Sequence, residues 1–175
     1  MIVKAIDKKF WEKIVYWCSL EDFQLKSRLD KTPYTAEQII NEFAGYLTNP
    51  LCKLFQIEKD NELIGFTLIT DLDFRNRRCK FHIEIPEKQN QNKSVGFKVL
   101  MWFIDYAFNQ LNLNKIKTAV LNNNIETLQI MERLDKIGFK KEGILKEEYY
   151  FNGKYEDLHL FSLVRQDFKG GIKCQ

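Results

Sequence analysis

A single α/β domain with a mixed, mostly antiparallel sheet and helices on both faces is the fold that three observations predict. Stretches of strand alternation and of helical spacing follow one another in the order β-α-α-β-β-β-α-β-α-β-β. Three strands joined by short polar turns make an antiparallel meander, and the strand-helix-strand unit that follows demands a parallel crossover. The chain has 175 residues, 45% of them hydrophobic and 14% aromatic, enough for one core without metal or disulfide staples. The domain is expected to span residues 1–168, with 169–175 a flexible tail.

The opening "IVKAI" reads as a strand, and "DKKFWEKIVYWC" places Phe10, Ile14, Val15 and Trp17 on one side of a helix. Thr35 precedes "AEQIINEFAGYL", where Ile39, Ile40, Phe43 and Leu47 recur at helical spacing. "CKLFQIEK", the turn "DNE" and "LIGFTLIT" form a strand-turn-strand. After "DLDFRNRR", the strand "CKFHIEI" alternates: Phe81, Ile83 and Ile85 face one way, Lys80, His82 and Glu84 the other, and Pro86 ends it. The next helix carries Val95, Val99, Trp102, Phe103, Ile104, Ala107 and Phe108, so it is buried over most of its circumference. "KIKTAVL" is a strand, and "NIETLQIMERLDKI" a helix closed by Gly138, where a left-handed residue is favoured. A long hairpin, "FKKEGILKEEYYF" and "YEDLHLFSLVR", turns at Asn152-Gly153.

Charge narrows the function classes. The formal net charge of +3, from 27 basic and 24 acidic side chains, is too small to imply a nucleic-acid partner. The basic run "RNRRCK" reads as a solvated hairpin turn. Cysteines 18, 52, 79 and 174 form no C-x-x-C pair and read as reduced thiols. Two distant histidines make no metal site with them, and His159 reads as a strand histidine beside Phe161. The N-terminus lacks a charged-then-apolar leader and no run of eighteen apolar residues exists, so a soluble cytoplasmic protein with no membrane partner is expected. The aromatics of the first helix, Phe10, Trp11, Tyr16 and Trp17, are candidates for core packing or for the wall of an acceptor pocket.

Chemistry concentrates around residues 82–97. The polar loop "QNQNKSVG" runs from a strand into a helix N-terminus, whose free amides and dipole favour an anion. With its neighbours this stretch resembles the GNAT superfamily of acyl-CoA-dependent N-acetyltransferases. The family cradle is Q/R-x-x-G-x-G/A; "QNKSVG" offers Gln91, Lys93 and Gly96, with Ser94 at the first glycine and a slightly longer loop before it. "NIETLQIMERLDKIGF" is similar to the family segment N-x-x-S…E-K-L-G-F through Asn124, Thr127, Glu132, Gly138 and Phe139, with a slightly longer helix. The tail "FKKEGILKEEYYFNGKYEDLHLFSLV" resembles the branch that includes ribosomal-protein N-terminal acetylases. These matches cover roughly residues 54–165.

The resemblance implies a splay between strands four and five, which leaves the backbone of Ile83 and Ile85 to pair with the pantetheine of acetyl-CoA. It implies a pyrophosphate on the cradle formed by Gln91, Asn92, Lys93, Ser94, Val95, Gly96 and Phe97. Asn124 has the amide to bond pantetheine, and also the position to cap its helix. Ser94 matters if that position needs a left-handed backbone, where serine costs about 1 kcal/mol. Acetyl transfer requires a proton acceptor for the amine and a proton donor for the thiolate. Glu84 and His82, on one face of strand four, are base candidates, in competition with Glu147, Glu148 and Asp157. The family's leaving-group tyrosine is replaced by Met131 or Leu134, and Thr127 offers the hydroxyl instead. The implied activity is acetyl transfer from acetyl-CoA to a primary amine by direct attack in a ternary complex, without metal. A protein N-terminus or an amino sugar fits a net basic chain better than a polyamine does. The alternative is a catalytically weak fold relative acting as an acyl-CoA sensor or protein-interaction module. A homodimer through an exposed final strand is also open.

Overall fold

The computed structural model describes residues 1–20, 23, 34–91, 93–151 and 153–170. Among them the elements follow the predicted order: β1 (Ile2–Ala5), α1 (Lys8–Ser19), α2 (Ala36–Thr48), β2 (Lys53–Lys59), β3 (Glu62–Asp73), β4 (Arg78–Glu84), α3 (Lys93–Asp105), β5 (Lys115–Leu121), α4 (Ile125–Arg133), β6 (Lys140–Phe151) and β7 (Lys154–Val164). The seven strands form one mixed sheet in the order β1-β2-β3-β4-β5-β7-β6. Its parallel pair is β4 with β5, in register at Arg78–Lys115, Cys79–Ile116 and Lys80–Lys117. The final strand, expected at an edge, lies between β5 and β6 instead. A β4-α3-β5 crossover sets β5 parallel, and both neighbours of β7 then run antiparallel to it.

The chain divides into two compact units. The first comprises Met1–Leu72 and Phe81–Phe103. One sheet face meets α1 and α2, packing Phe10, Ile14, Trp17, Ile39 and Phe43 against Leu54, Leu63, Phe66 and Leu68. Phe66 is the centre, with edge-on contacts to Phe10 at 5.9 Å and Phe43 at 5.4 Å between ring centroids. The other face meets α3: Val95 and Val99 pack on Ile57 and Ile64, with Ile83 and Ile85 alongside. Phe81 stacks on Phe103 at 4.8 Å. The β2–β3 register jumps from Ile57–Gly65 to Glu58–Leu63. Ile64 is therefore the extra residue of a β-bulge, which shifts the alternation so that Leu63 and Phe66, three apart, face the same core while Ile64 faces the other.

Local chemistry sets the helix starts. Thr35 and Gln38 form a reciprocal capping box at α2. Of the four apolar residues assigned to its face, Ile39 and Phe43 are buried while Ile40 and Leu47 are exposed, so the seam is narrower than the spacing suggests. Asp7 caps α1 through Lys9 N–H. The wholly buried Gln56 satisfies its amide there: its Oε1 accepts from Asp7 N–H at 2.9 Å and its Nε2 donates to Asp7 and Glu58.

The second unit comprises Asp73–Lys80 and Ile104–Gln175, described to residue 170. The β3–β4 turn is solvated, as expected of the basic run; Arg77 donates to Asn112 O and Oδ1, both at 2.7 Å, and Arg78 to Asp73. The end of α3 widens into a π-helical turn over Tyr106–Gln110. At the other crossover the surplus length of the helix is absorbed as a 3₁₀ turn, Leu134–Ile137, closed by Gly138 at φ 109°. A Cβ on Gly138 would collide with the Asp167 carbonyl oxygen, so backbone sign and close approach both select glycine.

β6 leaves the β7 register twice. Glu142 is bulged out and accepts from Lys115 Nζ and Ser162 Oγ, both at 2.6 Å. Lys146–Glu148 form a wider bulge between the pairs Leu145–Leu158 and Tyr149–Glu156, with Glu147 at φ 51°. Asp157 holds this bulge, accepting from Glu147 N–H at 3.0 Å and pairing with Lys146 at 2.6 Å. Among the described residues Cys18 and Cys79 are buried and in no disulfide, and burial pushes the Cys79 thiol up to about 12, which leaves it unreactive. No described helix is long and apolar enough to cross a membrane.

Candidate active site

In the first unit the C-terminal half of β4 supplies the site's floor. Alternation holds: Phe81, Ile83 and Ile85 turn toward the α3 core, and His82 and Glu84 take the opposite direction. His82 is exposed, its Nε2 3.4 Å from Thr70 Oγ1; Glu84 is half-buried. The fully buried Thr67 donates to His82 O at 2.9 Å, fixing the strand from β3. Gly65 lies directly against the Glu84 backbone, and a Cβ at 65 would overlap the Glu84 carbonyl oxygen. Glycine at this position is what brings β3 close enough to seat Glu84 where it is.

The loop after β4 is clasped in two places. Gln91, assigned to the cradle, sends Nε2 back to Ile85 O at 2.8 Å and closes the loop on the strand end. Glu87, which the sequence reading passed over, reaches α1: one oxygen accepts from both Trp17 Nε1 and Lys13 Nζ at 2.8 Å, and the other from Gln89 Nε2 at 2.9 Å. The available signals were a carboxylate directly after the strand-ending proline, and a lysine and tryptophan four apart on one helix face. Burial works to raise the Glu87 carboxyl, but the Lys13, Trp17 and Gln89 donors outweigh it and hold the group below its ordinary range. A depressed folded-state value stabilises the protein above the unfolded glutamate value of 4.5, and that stability is lost as pH falls through the folded value. The melting temperature of Glu87→Gln should therefore lie below that of the parent at pH 7, and the gap should close below pH about 4.5, as scanning calorimetry across pH would record.

Asn92 lies outside the described residues. Lys93 opens α3, and Ser94 follows inside its first turn with no positive φ. The position expected to need glycine has right-handed helical backbone, so serine carries no left-handed strain there. Gly96 has nothing within 4 Å of where a Cβ would stand, Ser94 and Phe97 are exposed, and Val95 is buried as the anchor. The turn thus presents an open outer surface around the helix N-terminus, a shape that accommodates a phosphate.

In the second unit Asn124 is the N-cap of α4, its Oδ1 accepting from Thr127 N–H at 3.2 Å. Thr127 is half-buried, whereas Met131 and Leu134 are buried in the core and offer no hydroxyl. Of the hairpin carboxylates, Asp157 is held low by Lys146 and by Glu147 N–H, against a smaller opposing effect of burial. That makes it a poor proton acceptor, while Glu147 and Glu148 are exposed on the bulge. His159 is half-buried and is lowered chiefly by burial, then by Lys141, with Asp157 opposing. No metal-holding group of His, Cys, Asp and Glu occurs among the described residues.

The chain is similar to known proteins. A spermidine N(1)-acetyltransferase of Vibrio cholerae is 28% identical over 111 residues, 63% of this chain and 62% of that protein. A putative ribosomal N-acetyltransferase of Bacillus subtilis, YdaF, is 30% identical over 111 residues, 63% of this chain and 58% of the relative. The aligned region thus spans less than two thirds of either relative. Among solved structures, spermidine N-acetyltransferase from Vibrio cholerae in complex with CoA and spermine superposes with TM-score 0.84 at 20% identity, covering 97% of this chain and 98% of that one, a likeness of fold. The acetyltransferase (GNAT) domain family matches residues 2–160, and with the strand order, crossover and open helix turn described above the chain belongs to that family.

Proposed function

We propose that this chain transfers the acetyl group of acetyl-CoA to a primary amine of a small polyamine, by direct attack in a ternary complex. The observation that carries the reading is the first turn of α3, right-handed at Ser94 and open around Gly96. It removes the backbone objection to Ser94 in the cradle, and the Thr127 hydroxyl stands in for the missing leaving-group tyrosine, the other main motive for a sensor without activity.

In this reading Gln91–Phe97 hold the pyrophosphate through their amides, and Ile83 and Ile85 offer backbone groups to pantetheine. One lone pair of Ile85 O is taken by Gln91, which leaves the second for such a bond. Asn124 uses Oδ1 as the helix cap, so Nδ2 is the atom suited to a pantetheine carbonyl. Acetyl-CoA supplies a thioester carbonyl. Glu84 takes a proton from the ammonium, with His82 as the competing base on the same strand face; the amine nitrogen bonds the carbonyl carbon as the carbon–sulfur bond breaks. The nitrogen's second proton passes to the Thr127 hydroxyl as that hydroxyl protonates the departing thiolate, giving CoA thiol and an N-acetyl amine.

A net charge of +3 is a whole-chain average and argues little about a local surface. On the β6–β7 hairpin Asp157 and the buried Glu156 are paired with Lys146 and Lys154, which leaves the exposed Glu147 and Glu148 on the bulge to meet a polycation, and a spermidine-acetylating relative supports the same acceptor class. A peptide N-terminus is the second reading, favoured by the tail and by the ribosomal acetyltransferase relative. Thiol release from acetyl-CoA, measured against spermidine, spermine, an amino sugar and a set of short peptides, separates them. The expected result is a kcat/KM for spermidine at least about tenfold above any peptide, a gap worth ~1.4 kcal/mol. Preference for a peptide would overturn the polyamine assignment.

A further inference from the structure

Glu87 has no part in the reading above, yet beside the cradle its carboxylate accepts three side-chain hydrogen bonds. It sits between Pro86 and a 3₁₀ turn, Lys88–Asn90, for which it is the N-cap residue; its side chain makes no capping bond there and crosses to α1 instead. Its carboxylate is only 12% exposed, and one of its donors, Trp17, is wholly buried with its ring stacked on Phe66 at 6.2 Å. Lys13, the second donor, lies 5.6 Å from the Tyr16 ring and 5.9 Å from the Trp17 ring, so the cation is held between the two aromatic side chains, beside the indole that supplies the N–H. The loop is thus pinned at its start to the rigid aromatic core, and at its end by Gln91 to Ile85 O. A loop fixed at both ends delivers the first turn of α3 with little conformational freedom left to lose on binding.

We propose that Glu87 is a positioning residue for the cofactor cradle: by binding Trp17 and Lys13 it fixes the β4–α3 loop to α1 and pre-orders Gln91 and the first turn of α3 for the CoA pyrophosphate. This rests on the assignment of the cradle to acetyl-CoA. Glu87 acts through the loop and touches no reacting atom, so the effect belongs in acetyl-CoA affinity and not in the chemical step.

The test titrates acetyl-CoA into the parent protein, Glu87→Gln and Lys13→Met by calorimetry. It also measures kcat at saturating acetyl-CoA, and hydrogen exchange in the free proteins. Charged hydrogen bonds of this kind put the expected loss of acetyl-CoA affinity at about tenfold for Glu87→Gln and a smaller loss for Lys13→Met, with kcat within about twofold. The amides of Lys88–Gln91 should exchange faster in Glu87→Gln while those of β2 and β3 keep their protection, which a general loss of stability would not produce. Unchanged affinity in the folded variants would overturn the positioning role, as would loss of kcat with affinity intact. Should Glu87→Gln not fold, Lys13→Met, altered at a partly exposed residue, carries the same comparison. No binding by the parent protein would instead overturn the cradle assignment and this inference with it, while exchange at Lys88–Gln91 still reports whether the clasp orders the loop.

Discussion

Replacing Glu84 by glutamine should lower kcat by about a hundredfold, the lower end of what a general base contributes, while the dissociation constant for acetyl-CoA stays the same. Glutamine is nearly isosteric and keeps the strand's backbone bonds; what it removes is the carboxylate charge and with it the ability to take a proton. The residue is half-buried on β4, beside the strand end that meets the cradle loop, and its backbone is wedged against Gly65. The pH profile of kcat/KM gives a second reading: the acidic limb of the parent should vanish in the variant. Should turnover be unchanged across pH, Glu84 has no catalytic part and His82, exposed two residues earlier on the same face, is the next to substitute.

Gly65→Ala should destabilise the fold by about 3 kcal/mol, at the upper end for overpacking, and should also impair turnover in the molecules that fold. An added Cβ would overlap the Glu84 carbonyl oxygen and come within 3.2 Å of its carbon and 3.3 Å of Ile85 Cα, all backbone atoms with no rotamer to escape into. Relief requires β3 and β4 to separate, and that moves Glu84 and the origin of the cradle loop together. Gly96→Ala is the control, because a Cβ there meets nothing within 4 Å. It should leave the unfolding midpoint close to the parent's and weaken only acetyl-CoA binding, through encroachment on the phosphate. Denaturant unfolding of both variants, with calorimetric titration, checks the contrast. Equal stability for Gly65→Ala and its parent would mean that β4 has slack the packing does not suggest.

The sequence made the element order legible because each element carries its own period. Alternation at Phe81, Ile83 and Ile85 and helical spacing at Phe10, Ile14 and Trp17 need no knowledge of partners, and both map onto the two cores of the first unit. Where the reading drifted, the decisive force was tertiary. Ile40 and Leu47 fit the period of α2 but find no partner surface, and the bulge at Ile64 depends on which strand lies alongside. The surplus residues before Gly138 read as a longer helix, whereas a tighter turn holds them. In the site, residue types at family positions could be read directly, but not the backbone angle of Ser94, on which the fate of the cradle turned. Glu87 was illegible for a similar reason: its two donors on α1 lie 70 and 74 residues away in the chain.

The bulge at Lys146–Glu148 has a consequence for life in a crowded cell. β6 ends the strand order on its side, and its surface carries exposed Ile144, Leu145, Tyr149 and Tyr150, the composition from which strands recruit further strands into aggregates. Three consecutive charged residues, with Glu147 in a left-handed conformation and tethered to Asp157, break that margin into two short lengths. Neither length can template a continuous ladder, so the feature that shapes the hairpin also acts as a gatekeeper against fibril growth.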